Sequence, residues 1–168
     1  MASAIKLIDP ADNEVLANLE AKTRQPSLFF RAMAHRPDVL MNFPPFYGAI
    51  MSPGSVERRI KELVYLTCSY ANECAFCTSA HLVTGKKARI TEEEIAALQT
   101  EQDHGFSEPE RAAIRYAREL TQTAAAEESR DALLEHFSHE QVVEITLVAA
   151  LANFTNRFNN GLQILPEA

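Results

Sequence analysis

Two cysteines three residues apart, Cys74 and Cys77, and a histidine four further on, His81, are the residues of this 168-residue sequence with the clearest chemistry. Their spacing of i, i+3 and i+7 lines both sulfurs and the imidazole along one face if the segment is helical. A helix that opens at Cys74 would also put the thiols near its positive dipole end and its unsatisfied N–H groups, which favours thiolate over thiol. A thiolate attacks a peroxide oxygen or a disulfide, and a second thiol one turn away can capture a sulfenic acid before it over-oxidises. An imidazole titrates near neutrality and can accept and return the proton. Glu62, on the preceding segment, offers a carboxylate to hold that imidazole in its useful tautomer.

Other chemistry fits the same residues. Cys74, Cys77 and His81 could supply three ligands to zinc, with His136 or His139 arriving from afar as the fourth. His81 and Glu62 could also act as acid and base without any thiol, the requirement of a decarboxylase or ring-opening lyase. The third cysteine, Cys68, falls on an apolar stretch and reads as a small buried hydrophobe. An odd cysteine count with one close pair argues against a secreted disulfide framework and for a reducing, cytoplasmic setting, where a CxxC is a redox centre or half of a metal site.

The elements that must position these groups read as helices, because apolar residues recur at spacings of three and four and alternating β-branched runs are missing. The fold class is all-α, with about seven or eight helices in a single domain spanning 1–168. A first helix starts near Asp9-Pro10 and carries Val15, Leu16 and Leu19, and a second runs from Pro26 to about Met33. Pro37 opens a third, which Pro44-Pro45 must kink or interrupt. The next begins between Ser55 and Arg58 and ends near Ala71-Asn72, carrying Glu62. The cysteine helix runs from about Cys74 to Gly85, with Gly85 as its stop. Thr91 to Glu94 reads as a capping box, Ser107 to Glu110 as another helix start, and Ser138 or His139 as the start of a long apolar helix through Phe154. That last helix is apolar over more than one stripe, so it is central in the core or shared with another subunit. Glu92 to Glu94 and Glu127-Glu128 are helix-start charges, and the aromatic residues Phe29, Phe30, Phe43, Phe46 and Tyr47 are core or the lining of an apolar pocket.

Composition narrows the partners. With 46% apolar and 23% charged residues the chain is an ordinary globular protein, neither disordered nor fibrous. A formal charge of −7 repels nucleic acid. The absence of a basic leader with an apolar core, and of any stretch of eighteen apolar residues, signals neither export nor membrane insertion.

The stretch from Glu62 to His81, with its ECxFCxxxH pattern from Glu73, resembles the AhpD-like alkylhydroperoxidases of the carboxymuconolactone decarboxylase superfamily. Phe29-Arg31-Ala32-His35-Arg36-Pro37 with Phe46-Tyr47 is similar to the lead-in of its peroxidase-related branch, and Asn156-Arg157-Phe158-Asn159 to its C-terminal end. The resemblance implies an all-helical, cofactor-free oxidoreductase that assembles as trimers or hexamers and reduces hydroperoxides, with an external thiol or disulfide reductant closing the cycle. Carried over by position, Cys77 forms the sulfenic acid, Cys74 resolves it, and Glu62 with His81 relays protons. Phe76 stands where the best-studied members have a histidine immediately before the second cysteine. Decarboxylases of the superfamily lack the cysteine pair, so its presence here points to the thiol branch, with the lyase and a redox-sensing or zinc-binding module as alternatives.

Overall fold

In a computed structural model, which describes residues 3–24 and 26–166, the chain is all-helical, with no strand among the described residues. The helices are α1 (Glu14–Thr23), α2 (Leu28–Met33), α3 (Pro37–Met51), α4 (Arg58–Ala71), α5 (Ala75–Lys87), α6 (Glu92–Gln99), α7 (Glu108–Thr123), α8 (Glu127–Leu134) and α9 (His139–Gly161). That is nine helices among the described residues rather than seven or eight, the short α8 following the acidic pair Glu127-Glu128.

The centre is α4, which packs on α5, α7 and α9. Every residue from Lys61 to Ser69 is buried, so α4 touches protein on all sides rather than along one stripe. Leu63, Val64 and Leu66 are fully enclosed, each stabilising the fold by roughly 1.5–3 kcal/mol. Lys61 is enclosed with them because its ammonium donates to the carbonyls of Ile50 (2.8 Å) and Ser52 (2.7 Å) at the end of α3 and meets the Glu144 carboxylate of α9. A buried cation is tolerated only when so paired. Glu144 Oε2 in turn accepts from the backbone N–H groups of Ser55 (2.8 Å) and Val56 (3.2 Å), fixing the turn before α4. A Cβ at Gly54 would meet the Glu144 carboxylate, so a larger residue there would displace that side chain.

Local chemistry set several boundaries as expected. Capping boxes close the starts of α6 at Thr91, α7 at Ser107 and α9 at Ser138, and α4 ends at Ala71 with Asn72 as its C-cap. Other boundaries differ. Asp9-Pro10 opens a 3-10 turn (Pro10–Asp12), and α1 begins afterwards with Asn13 as its cap, because Asn13 Oδ1 accepts from the Leu16 N–H at 3.0 Å. The helix expected from Pro26 starts at Leu28.

Pro44-Pro45 does not interrupt α3, which continues through the pair to Met51. Buried Leu40 and Phe43 before the prolines and Ile50 and Met51 after them anchor both halves on the core, which outweighs the missing N–H donors. Gly85 does not stop α5 either; the helix runs to Lys87. A Cβ at Gly85 would come within 3.2 Å of Leu66 and 3.3 Å of Ile90, so the glycine permits close approach of α5 to α4. The left-handed residue that ends the helix is Arg89 (φ 66°), with the Ile90 N–H donating back to the Gly85 carbonyl at 3.0 Å.

The long α9 buries Ile145, Val148, Leu151 and Ala152, while Val143 (59%), Leu147 (43%) and Phe154 (49%) stay exposed. Its two apolar stripes therefore face different surroundings.

Candidate active site

The turn between α4 and α5 builds the site. Glu73 adopts a left-handed conformation (φ 51°), which lets the Cys74 N–H close onto the Ser69 carbonyl at 2.9 Å and starts α5 at once. Asn72 locks this turn to α9: its Nδ2 donates to Asn153 Oδ1 (3.0 Å) and Asn156 Oδ1 (2.9 Å), and its carbonyl accepts from Asn160 Nδ2 (2.7 Å). Cys74 becomes the N-cap of α5, its Sγ accepting from the Cys77 N–H at 3.4 Å, so the pair does stand at a helix N-terminus.

Two buried side chains of α9 contact the Cys77 sulfur. Asn159 Nδ2 donates to its Sγ at 3.2 Å, and Thr155 Oγ1 lies 4.0 Å away. The Cys77 thiol is pulled down to about 7; the hydrogen bond from the Cys74 thiol is the largest cause, burial opposes it, and the contacts with Asn156, Asn159 and Thr155 lower it further. Cys74 is pushed the other way by the same hydrogen bond, by burial and by the charge on Cys77. The two thiols are thus differentiated, one acidic and one not. Cys68, the third, is enclosed 0% exposed and pushed up to about 12 by burial, the inert hydrophobe expected of it.

Glu62 and His81 are brought together because α4 and α5 form an antiparallel hairpin: His81 Nδ1 meets Glu62 Oε2 at 2.8 Å. The same oxygen accepts from Thr84 Oγ1 at 2.8 Å, and Arg58 Nη2 lies 2.5 Å from Oε1 in an ion-pair contact rather than an aligned hydrogen bond. Burial, the largest influence on Glu62, opposes ionisation, yet His81, Thr84 and Arg58 together overcome it and hold the carboxyl below its usual range. The carboxylate therefore fixes the imidazole with Nδ1 toward α4 and Nε2 away from it. Tyr65 stacks on the ring (centroids 3.5 Å apart, 13° between planes), and its hydroxyl meets Thr155 Oγ1 at 2.5 Å.

Cys77 and His81 open onto one cavity of about 360 Å³, whose walls include the rings of Phe29, Phe30, Phe43, Tyr47, Tyr65 and Phe76 together with Thr155 and Asn159. Cys74 is not among the lining residues. Phe76 makes the wall beside the Cys77 sulfur apolar where a histidine would have made it polar. Both His81 nitrogens are engaged, Nδ1 by Glu62 and Nε2 by Tyr47, leaving the imidazole no free nitrogen for a metal beside the cysteines. No group of three or more histidine, cysteine or acidic residues placed to hold a metal occurs among the described residues.

All four residues singled out in the sequence, Glu62, Cys74, Cys77 and His81, converge here. Sequence reasoning missed Arg58, Thr84, Thr155 and the role of Asn159. A signal for the α9 residues existed: Thr155, Asn156 and Asn159 are polar residues at i, i+1 and i+4, and all three are buried.

Residues 37–119 match the model of the carboxymuconolactone decarboxylase family, a segment that holds the glutamate, both cysteines and the histidine. Among curated relatives, the uncharacterized protein YdfG of Bacillus subtilis (strain 168) is 29% identical over 109 residues, which are 62% of this chain and 74% of that protein. The fold matches an AhpD-core, peroxidase-related protein from Ralstonia eutropha JMP134 with a TM-score of 0.85 at 21% identity, over 99% of this chain and 93% of the other. It also matches the debrominase Bmp8, captured as a cysteine-to-alanine variant with 2,3,4-tribromopyrrole, with a TM-score of 0.81 at 20% identity over 98% and 91%. The family match over residues 37–119 and the shared fold make this chain similar to the carboxymuconolactone decarboxylase family in sequence and to an AhpD-core protein in fold.

Proposed function

We propose that the protein is a thiol-dependent peroxidase in which Cys77 attacks, Cys74 resolves, and His81 with Glu62 handles the proton. One observation carries this reading: of the two cysteines, the one lowered to about 7 is the one that faces the cavity, while its raised partner sits behind it. The Cys77 thiolate attacks the terminal oxygen of a hydroperoxide, the O–O bond breaks, and the departing alkoxide leaves as the alcohol after taking one proton. Cys74 then attacks the Cys77 sulfenic acid, expelling water and forming the Cys74–Cys77 disulfide. An external dithiol restores both thiols by exchange. The apolar walls favour an organic hydroperoxide over hydrogen peroxide.

The exposed apolar residues of α9, with Val39 and Phe46 of α3, suit contact between copies of this chain, consistent with a homo-oligomer of three or six subunits. Light scattering on the purified protein checks that part independently.

Replacing Cys77 by Ser tests the chemistry. A folded C77S that consumes cumene hydroperoxide at the parental rate in the presence of a dithiol would refute the assignment; loss of turnover with retained helicity is expected. A second reading, reductive dehalogenation of a small aromatic ring, is favoured by the six rings that line the cavity. It would use the same thiol pair as the two-electron donor, exchanging carbon-bound bromine for hydrogen. Release of bromide from 2,3,4-tribromopyrrole with a dithiol present, and no consumption of hydroperoxide, would favour it instead.

A further inference from the structure

Tyr47 stands in α3 on the cavity wall opposite the hairpin that carries the cysteines, and its hydroxyl meets His81 Nε2 at 3.2 Å. The imidazole therefore presents no bare nitrogen to the cavity; the group at the cavity end of the Glu62–His81 pair is the Tyr47 phenol. Its ring is held by Phe43 (centroids 5.9 Å) and Tyr65 (6.5 Å), so the hydroxyl has a defined position rather than a swinging one. Burial, and secondarily the charge of Glu62, keep the phenol protonated. Beside Cys77, Asn159 holds the sulfur through Nδ2, while its Oδ1 is buried with no hydrogen-bond partner among the described residues. A cavity with a thiolate and one fixed O–H donor suits a molecule that offers one oxygen to the sulfur and needs a proton at a second. A hydroperoxide is such a molecule.

We propose that Tyr47 is the general acid of the peroxidase step, delivering to the departing oxygen the proton that His81 holds. This rests on the peroxidase reading above. The proton released by the Cys77 thiol is stored on His81 against Glu62. As the Cys77 thiolate forms its S–O bond and the O–O bond breaks, Tyr47 passes its hydroxyl proton to the alkoxide and takes the one on His81 Nε2. The products are the Cys77 sulfenic acid, one alcohol, and Tyr47 and His81 in their starting states.

The need for this acid depends on the leaving group, which gives the test. An alkoxide must be protonated as it departs, whereas the carboxylate released from a peracid need not be. Oxidation of Cys77 in a single turnover is measured by stopped flow for the parent and for Tyr47→Phe, with cumene hydroperoxide and with perbenzoic acid. Tyr47→Phe keeps the ring and its packing. The variant should lose ~100-fold with cumene hydroperoxide and less than about threefold with perbenzoic acid, the range expected when a positioned acid is removed. An equal loss with both oxidants, or no loss with either, overturns the assignment of Tyr47 while leaving Cys77 chemistry intact. A parent protein whose Cys77 is not oxidised by cumene hydroperoxide overturns the peroxidase reading and this one with it.

Discussion

Cys74 does two jobs that can be separated by removing its sulfur. Its thiol donates to Cys77 and is the largest cause that brings Cys77 down to about 7, so at pH 7 about half of Cys77 is thiolate. In Cys74→Ala that donor is gone and burial, which opposes ionisation, is not. With the Asn156, Asn159 and Thr155 contacts still set against burial, Cys77 should return to roughly 8.5, which leaves ~3% thiolate at the same pH. The rate does not fall in proportion, because a more basic thiolate is the better nucleophile; a Brønsted slope of 0.4–0.5 returns a factor of ~4–6. The variant should therefore attack a small disulfide only ~3–4-fold more slowly at neutral pH, and ~4–5-fold faster near pH 10, where both proteins are fully ionised. The assay is the pH dependence of pyridinethione release from dithiodipyridine. The parent should release two equivalents, since Cys74 displaces the second, and the variant one. Losing Cys74 as the N-cap of α5 costs ~1 kcal/mol, too little to unfold the domain. Two profiles that superimpose, with no crossing, would refute the claim that Cys74 sets the acidity of Cys77.

Cys77 oxidation in the parent should rise with pH through about 7, because its thiolate is the reactive form and its pKa is lowered from the free thiol value; a flat profile between pH 5 and pH 9 in single-turnover oxidation contradicts this. Lys61→Met should lose ~3–5 kcal/mol in urea denaturation, since it strands the Glu144 carboxylate and the carbonyls of Ile50 and Ser52, and Lys61→Met with Glu144→Leu should recover part of it. Glu62 is held below its usual range, so its stabilisation is present above the ordinary carboxylate value of roughly 4.3 and is lost as pH falls through the lowered one; unfolding of Glu62→Gln should show a shallower loss between pH 5 and pH 2 than the parent.

Much of the site was legible because its order is local. A CxxC with a histidine in register needs only helical geometry to line up, and Ser107, Ser138 and Thr91 announce their helix starts through capping chemistry that lies within four residues. Glu62 could be placed on the helix before the cysteines, but its contact with His81 depends on the hairpin between α4 and α5, which the left-handed Glu73 makes tight. Glutamate carries no sequence mark of that conformation. The same applies to Arg89, which ends α5 where a glycine would have been the readable signal. Pro44-Pro45 does not interrupt α3 for the opposite reason: a strong local preference yields to the burial of Leu40, Phe43, Ile50 and Met51 on the core. Tyr47, Thr155 and Asn159 reach the site from α3 and α9, 34, 78 and 82 residues from their partners His81 and Cys77, and no spacing rule spans such distances.

The pairing of an acidic Cys77 at the cavity with a resolving Cys74 behind it is tested most directly by mass. One equivalent of cumene hydroperoxide is added to the reduced protein, free thiols are counted, and the linkage is located in the digested, unreduced chain. Loss of two thiols, a Cys74–Cys77 disulfide and an untouched Cys68 is the expected result. A stable sulfenic acid on Cys74, or a disulfide that includes Cys68, would contradict it.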